Sequence, residues 1–433
     1  MRQTGGMRTI DDHRRDVTAL LSDLPSQGEP ETLEVVAAAI AADPARYARR
    51  VLAADLISPS SLPSFDNSQM DGYAVRADDL AEADPAHPVT LPTARRIAAG
   101  DPFATHLPGT ATPIMTGAPV PAGADAVVQI ERADPPVFFD DRVAESAAAA
   151  PVVGFTSPIA VGTFVRAAGS DVTAGQVLLT GGTVLGASQY GVIAGTGATS
   201  VEVRRQPRVL LVSTGHEIRE PGSQLAPGQI FDSNSVALTV ALQQIGCQVD
   251  PRPCRSDDAD DLLALLLGHA SHADVIVTVG GVSAGAREVV RDALEPRGVR
   301  FEKVAMQPGG PQGHGLADLD GMSRPVVSLP GNPVSALVSF EAFLRPALLA
   351  AQGAAAPDRE LRRGIAGESF DSPPHHHQLR RGVVDADGVL SLVGGPSSHL
   401  LHSYAQSTAL VHVPVGVSAV AAGDPLDYWR IDG

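Results

Sequence analysis

The chain has 433 residues, 44% of them apolar and only 4% aromatic, with 43 glycines and 35 prolines. That length predicts roughly two to four domains, and so much glycine and proline predicts many defined turns between short strands. The 49 acidic and 32 basic residues leave a formal charge of −17, which argues against nucleic-acid or membrane partners while still allowing a local positive pocket. Cys247 and Cys254 are the two cysteines, too few for a disulfide framework or a thiolate metal site, and they fit a reducing compartment. Met1 to Arg15 is polar, and no apolar run on the order of 18 residues follows. A cytoplasmic chain without a membrane span is expected.

In chain order, residues 1–30 read as a polar, disordered tail, with helical capacity confined to 16–23. From 32 to 56, Val35, Val36, Ile40, Tyr47, Val51, Leu52 and Leu56 suggest amphipathic helices broken near Asp43-Pro44. Residues 58–64 form a Ser/Pro connector, and 65–80 hold too many turn formers for a helix. The stretch 88–205 reads as small β units or barrels, with an Ala-rich loop or short helix at 143–150.

The character changes near Pro207. Strands are expected at 208–213, from Val249, at 274–279 and at 326–329, and helices at 235–245, 257–269, 287–294 and 333–349. Strands alternating with helices of this length predict a parallel, doubly wound sheet covered on both faces, spanning 206–350. A linker at 351–360 leads to a small terminal β domain over 361–433. His375, His376 and His377 are adjacent, so they point apart and read as a surface loop rather than a metal site.

Three loops follow predicted strands: Thr214-Gly215-His216-Glu217, Gly280 to Gly285, and Pro330-Gly331-Asn332-Pro333. Parallel strands bring such loops to one edge, where ligands of open α/β sheets bind. Glycines let main-chain amides approach a ligand, and the first turns of the following helices attract phosphate. Thr214 and Ser283 add hydroxyls, Pro333 suits the first helical position and Asn332 a cap. Ordinary βα turns are the plainer alternative for any one loop. Gly309 to Gly315 reads as a binding turn or lid. Glu217, Asp232, Asp257 and Asp258 lie near these loops, where they could hold Mg²⁺ against phosphate or simply cap helices.

The run Phe65 to Arg76, containing Met70-Asp71-Gly72-Tyr73-Ala74, resembles the signature of the molybdopterin molybdenumtransferases, the gephyrin-type molybdenum-insertion enzymes of molybdenum-cofactor biosynthesis. Matching blocks follow at 114–121, 123–128, 166–175, 213–215, 228–234, 280–285 and 329–336, so the likeness covers about 32–430. The resemblance implies a multidomain α/β fold and a homodimer. A discontinuous N-terminal domain (31–75 and 160–205) carries an inserted β-rich domain (76–159); a central parallel-sheet molybdopterin-binding domain (206–350) and a C-terminal β-barrel domain (360–433) complete the chain.

It also implies a reaction. Adenylylated molybdopterin and molybdate are the substrates, molybdenum enters the dithiolene, AMP leaves, and Mg²⁺ assists. The implied partners are a second copy of the chain and the molybdopterin adenylyltransferase that supplies the substrate. By the same resemblance, Glu217, Asp232 and Asp258 fall on the metal side, and Thr214, Gly215, Gly281, Ser283 and Gly285 cradle phosphate or pterin. Pro308, Gly309, Pro330, Gly331 and Asn332 shape the pterin and molybdate end, while Asp71 and Thr116 reach in from the partner subunit.

Some positions depart from the family pattern. Ala286-Arg287-Glu288 stands where the family is acidic, Gly310 replaces the lysine of Pro-Gly-Lys-Pro, Gln307 a frequently basic residue, His216 an acid and Ser170 a Glu. Two readings stay open: a working enzyme with altered phosphate contacts, or a divergent paralogue that binds the cofactor without efficient turnover. An ATP-dependent adenylyltransferase is a further rival, and a Rossmann oxidoreductase lacks its glycine fingerprint.

Overall fold

The computed structural model describes residues 7–24, 29–139, 150–282 and 288–432. The Ala-rich piece at 143–149 and the site candidates Ser283 and Gly285, with Ala286 and Arg287, lie outside the described residues.

The expected tail is in large part a helix. Ile10–Leu21 forms α1, and the Thr9 hydroxyl oxygen caps it by accepting the Asp12 amide at 3.1 Å. His13, Val17 and Leu21 recur every fourth residue and form its buried stripe. The polar composition concealed it, because only one face of a helix must be apolar. Between 31 and 56 the helices are also shorter than expected. A strand at Glu31–Glu34 precedes helices Ala37–Ala42 and Pro44–Tyr47, and Asp43 caps the second by accepting the Arg46 amide.

Two compact units emerge: Met1–Ala54 with Gly181–Gly186 and Val201–Gly433, and Asp55–Thr180 with Ala187–Ser200. In the smaller unit, early and late segments pair antiparallel, Leu56–Ile57 with Val177–Leu179 and Asn67–Ser68 with Val165–Arg166. Between them lies the inserted β structure. Strand β1 (Gly72–Val75) is flanked by β2 (Thr112–Ile114) and β3 (Ala126–Gln129). Gly72 must lack a side chain, since a Cβ there would collide with the Val128 carbonyl. Tyr73 is fully buried and its hydroxyl donates to the Val137 carbonyl at 2.6 Å, a packing role. Helix Ala187–Gly195 departs from the all-strand expectation for 88–205.

The larger unit is built on a sheet. In chain order its elements are β4 (Arg208–Ser213), α2 (Ser233–Gln244), β5 (Gln248–Pro251), α3 (Ala259–His269), β6 (Val275–Val279), α4 (Val289–Leu294), β7 (Arg300–Lys303), β8 (Pro311–Leu319), β9 (Met322–Leu329) and helix α5 (Pro333–Ala351). Strand order is β5-β4-β6-β9-β8-β7. The first four strands are parallel, as expected, but β8 and β7 extend the sheet antiparallel. Gly313 to Gly315 therefore lie in a strand, which corrects their reading as a lid.

Both faces are covered. Val209 and Leu211 of β4 pack with α1, α2 and α5, while Leu210 and Val212 pack with α3 and α4. This alternation needs apolar residues at every position of a central strand, and each fully buried Val or Leu contributes roughly 1.5–3 kcal/mol. Among the described residues, α5 is long and apolar enough to cross a membrane, yet 78% of its most apolar window is buried in the protein, where Val334 to Ala351 contribute to the core.

The terminal strands β10 (Leu361–Ala366), β11 (His377–Val384), β12 (Val389–Leu392), β13 (Ala409–Val413) and β14 (Pro425–Arg430) run β11-β12-β10-β14-β13, and β11 pairs with β13 to close a five-stranded barrel. Met306–Gln307 joins it by pairing parallel with His377 and Gln378. The three adjacent histidines do separate: His375 is exposed, whereas His377 Nε2 lies 3.1 Å from His412 Nδ1.

Candidate active site

Register sets the site. Ser213 pairs with Val279, and Val279 with Leu329, so β4, β6 and β9 end level and their loops leave on one edge. The loops stitch to the strands: the Thr214 amide donates to the Val279 carbonyl at 2.9 Å and the Gly280 amide to Leu329 at 3.0 Å. Gly280 has φ +100°, and a Cβ there would lie 2.8 Å from Thr214 Oγ1. Only glycine lets the three backbones come this close.

Over these loops opens a cavity of about 1140 Å³, wide enough for a nucleotide-sized ligand. Thr214, Gly215, Glu217, Asp232, Gly281, Pro308, Gly309, Pro330, Gly331 and Asn332 all line it. Asn332 stands at the N-cap of α5 with Pro333 following, but its side chain makes no cap bond. Asn234 donates to the Gly331 carbonyl at 2.7 Å and holds that loop against α2.

The carboxylates differ in how they are held. Asp232 is buried and caps α2: it accepts the Ser235 amide at 2.9 Å and the hydroxyls of Ser213 and Ser235, each at 2.6 Å. Glu217 folds over Gly215, where a Cβ would lie 2.5 Å from its Oε2. His216 Nδ1 stands 2.7 Å from Asp257 Oδ2 and 3.8 Å from Glu217 Oε2. Asp258 does not line the cavity; it caps α3 by accepting the Asp260 amide at 2.8 Å, and its neighbour Asp257 is the residue at the wall. Among the described residues, Glu217, Asp232 and Asp258 do not converge as a three-ligand cluster.

In the smaller unit, Asp71 and Thr116 are in contact. Asp71 Oδ1 accepts both the amide and the hydroxyl of Thr116, each at 2.7 Å. These two bonds hold the Asp71 carboxyl below the usual carboxylate range.

Three family models tile the chain: the MoeA N-terminal region (domain I and II) over 9–197, a probable molybdopterin binding domain over 211–350, and the MoeA C-terminal region (domain IV) over 363–431. Molybdopterin molybdenumtransferase 2 of Mycobacterium tuberculosis is 44% identical over 390 residues, covering 88% of this chain and 92% of its own. The chain belongs to the molybdopterin molybdenumtransferase family. A Synechococcus elongatus molybdopterin molybdenumtransferase is 35% identical, covering 87% of this chain and 91% of its own. A crystal structure of a molybdopterin biosynthesis MoeA protein from Pyrococcus horikosii matches 99% of this chain and 100% of its own, with a TM-score of 0.75 at 28% identity. The family's members are transferases of molybdenum-cofactor biosynthesis.

Within this molybdenumtransferase frame, the cavity contains residues that sequence reasoning passed over: Lys303, Asn234, Ser335, His399 and the segment 396–398 from the terminal domain. Lys303 carries a signal that was available, because it is the only lysine in the chain. Its Cε lies 3.8 Å from where a Cβ on Gly310 would sit. The lysine absent from the 308–311 loop thus has a neighbour of the same charge lying over the vacated position.

Proposed function

We propose that this transferase inserts molybdenum from molybdate into adenylylated molybdopterin with release of AMP, working as a homodimer. The observation that carries the reading is the cavity itself: main-chain loops from three level strand ends, one lysine, and carboxylates share its lining.

Gly281 and Gly331 keep the loop backbone bare at the cavity wall, where a phosphate can approach it closely, while the amides of Thr214, Gly215 and Gly280 tie the loops to the sheet. Lys303 adds a full positive charge at the end shaped by Pro308 and Gly309, where an oxyanion such as molybdate needs one. Glu217 and Asp232 supply the hard oxygen donors that suit Mg²⁺, which commonly takes one or two carboxylates plus substrate phosphates. When bound there, Mg²⁺ would polarise the phosphoanhydride. Ser213 and Ser235 fix the Asp232 carboxylate, and Asp257 turns His216. Asp71, anchored by Thr116, acts in the same reaction.

Purified protein given adenylylated molybdopterin, Mg²⁺ and molybdate should release AMP only when molybdate is present. Tight binding without AMP release would instead favour the carrier paralogue, for which Gln307 and Gly310 speak. Pyrophosphate release from ATP and molybdopterin would mark an adenylyltransferase. Asp71→Ala should lower turnover while leaving the fold intact, and full activity in that variant would remove Asp71 from the reaction.

A further inference from the structure

We propose that His13, Glu302 and His314 form a transition-metal site, of the kind Zn²⁺ occupies, that pins α1 to the antiparallel edge of the sheet. The three residues come from α1, β7 and β8, and their ligand atoms lie within 4.8 Å of one another. His13 Nδ1 is 3.0 Å and His314 Nδ1 3.8 Å from the same oxygen, Glu302 Oε1. Zinc bonds near 2.0–2.2 Å place tetrahedral neighbours roughly 3.3–3.5 Å apart, a spacing these two edges bracket.

Burial supplies the independent sign. His13 is fully buried with its Nδ1 bonded to Glu302, and His314 is 6% exposed, yet His314 Nδ1, the atom turned toward Glu302, has no hydrogen-bond partner. Leaving such a nitrogen unpaired is costly, and 3.8 Å is too long for a hydrogen bond to Glu302. It suits a cation shared between the two groups. The other nitrogen of His314, Nε2, faces Asp16 Oδ2 at 3.5 Å, the outer carboxylate that metal-bound histidines usually have. Arg8 contacts both Asp16 and, at 2.9 Å, Glu302. It balances the carboxylates when no cation is bound and retains Asp16 when one is. Glu302 remains 23% exposed, which gives an entry path and room for a water as fourth ligand.

The site stands apart from the cavity residues, so it holds whether or not the insertion reaction is correct. Full-length protein stripped with a chelator would be titrated with Zn²⁺ against a chromophoric competitor, and with Co²⁺ by visible absorption. One tight equivalent per chain is expected in the parent and in a His375→Ala/His376→Ala control. His314→Ala should lose it, and Asp16→Asn should bind about 10–100-fold more weakly. Glu302→Gln, which keeps the shape and removes the charge, should also lose it and serves if His314→Ala does not fold. Absence of a tight equivalent in the parent, or its retention in either ligand variant, overturns the proposal.

Discussion

At the carboxyl ends of β4, β6 and β9 the loops line an open cavity, whereas beneath α1 the polar groups of His13, Glu302 and His314 turn toward one another. The same sheet carries both. In the first place glycines let the loop backbones close on one another, and the Thr214 and Gly280 amides bond to neighbouring strand ends. In the second, a capped helix presses one imidazole onto a carboxylate that a second imidazole faces from β8. At the cavity Asp232 borrows its rigidity from Ser213 and Ser235. An interior cluster must be satisfied by its own members and near neighbours, here Arg8 and Asp16, or by a cation.

That contrast can be broken most sharply at Glu217. Glu217→Ala should lower molybdate-dependent AMP release by about 100–1000-fold, with a stability change within about 0.5 kcal/mol because the residue is half-exposed. Unchanged turnover would mean the open wall is not where the chemistry occurs. Next comes the close approach of the loops. Gly280→Ala forces a side chain into φ +100° and against Thr214, and should lower the thermal midpoint by an amount equivalent to about 2–3 kcal/mol. A midpoint equal to the parent's would show that the loops can part freely.

The barrel sharpens the comparison, since His377 and His412 meet there without the carboxylate present at Glu302. Burial, then the neighbouring His377, pushes His412 from 6.5 down to about 3. Neutral in the folded protein, it gains a proton on unfolding once the pH falls below 6.5. Stability should therefore be intact above that pH, drain away as the pH falls toward about 3, and be flat below it. His412→Gln should flatten this slope in midpoints measured across the range. Smallest is Asp232→Ala, which removes the cap of α2 and should destabilise by about 1 kcal/mol. A calorimetric midpoint that does not move would show that Ser213 and Ser235 need no carboxylate.

The strand-end loops were readable because a glycine follows each apolar run within two residues, and α/β alternation dictates a shared edge. Asp232 as a cap was readable for the same local reason. What escaped depends on contacts distant in the chain. The α1 stripe of His13, Val17 and Leu21 has meaning only once the sheet is present to bury it. Gly313 looked like part of a lid, but its role is to make room for Phe301, whose ring would lie 2.7 Å from a Cβ there. Asp257 and Asp258 are adjacent and chemically alike; only the turn into α3 decides which one reaches the cavity. The family resemblance supplied Asp71 and Thr116 as separate candidates, and their mutual hydrogen bonds appear only in the fold.

Lys303 has one consequence outside catalysis. With arginine supplying every other cationic side chain, a reagent selective for primary amines can meet only this ε-ammonium and the chain's own α-amino group. A spectroscopic tag or crosslinker can thus be seated in the cavity of the unmutated protein by ordinary acylation.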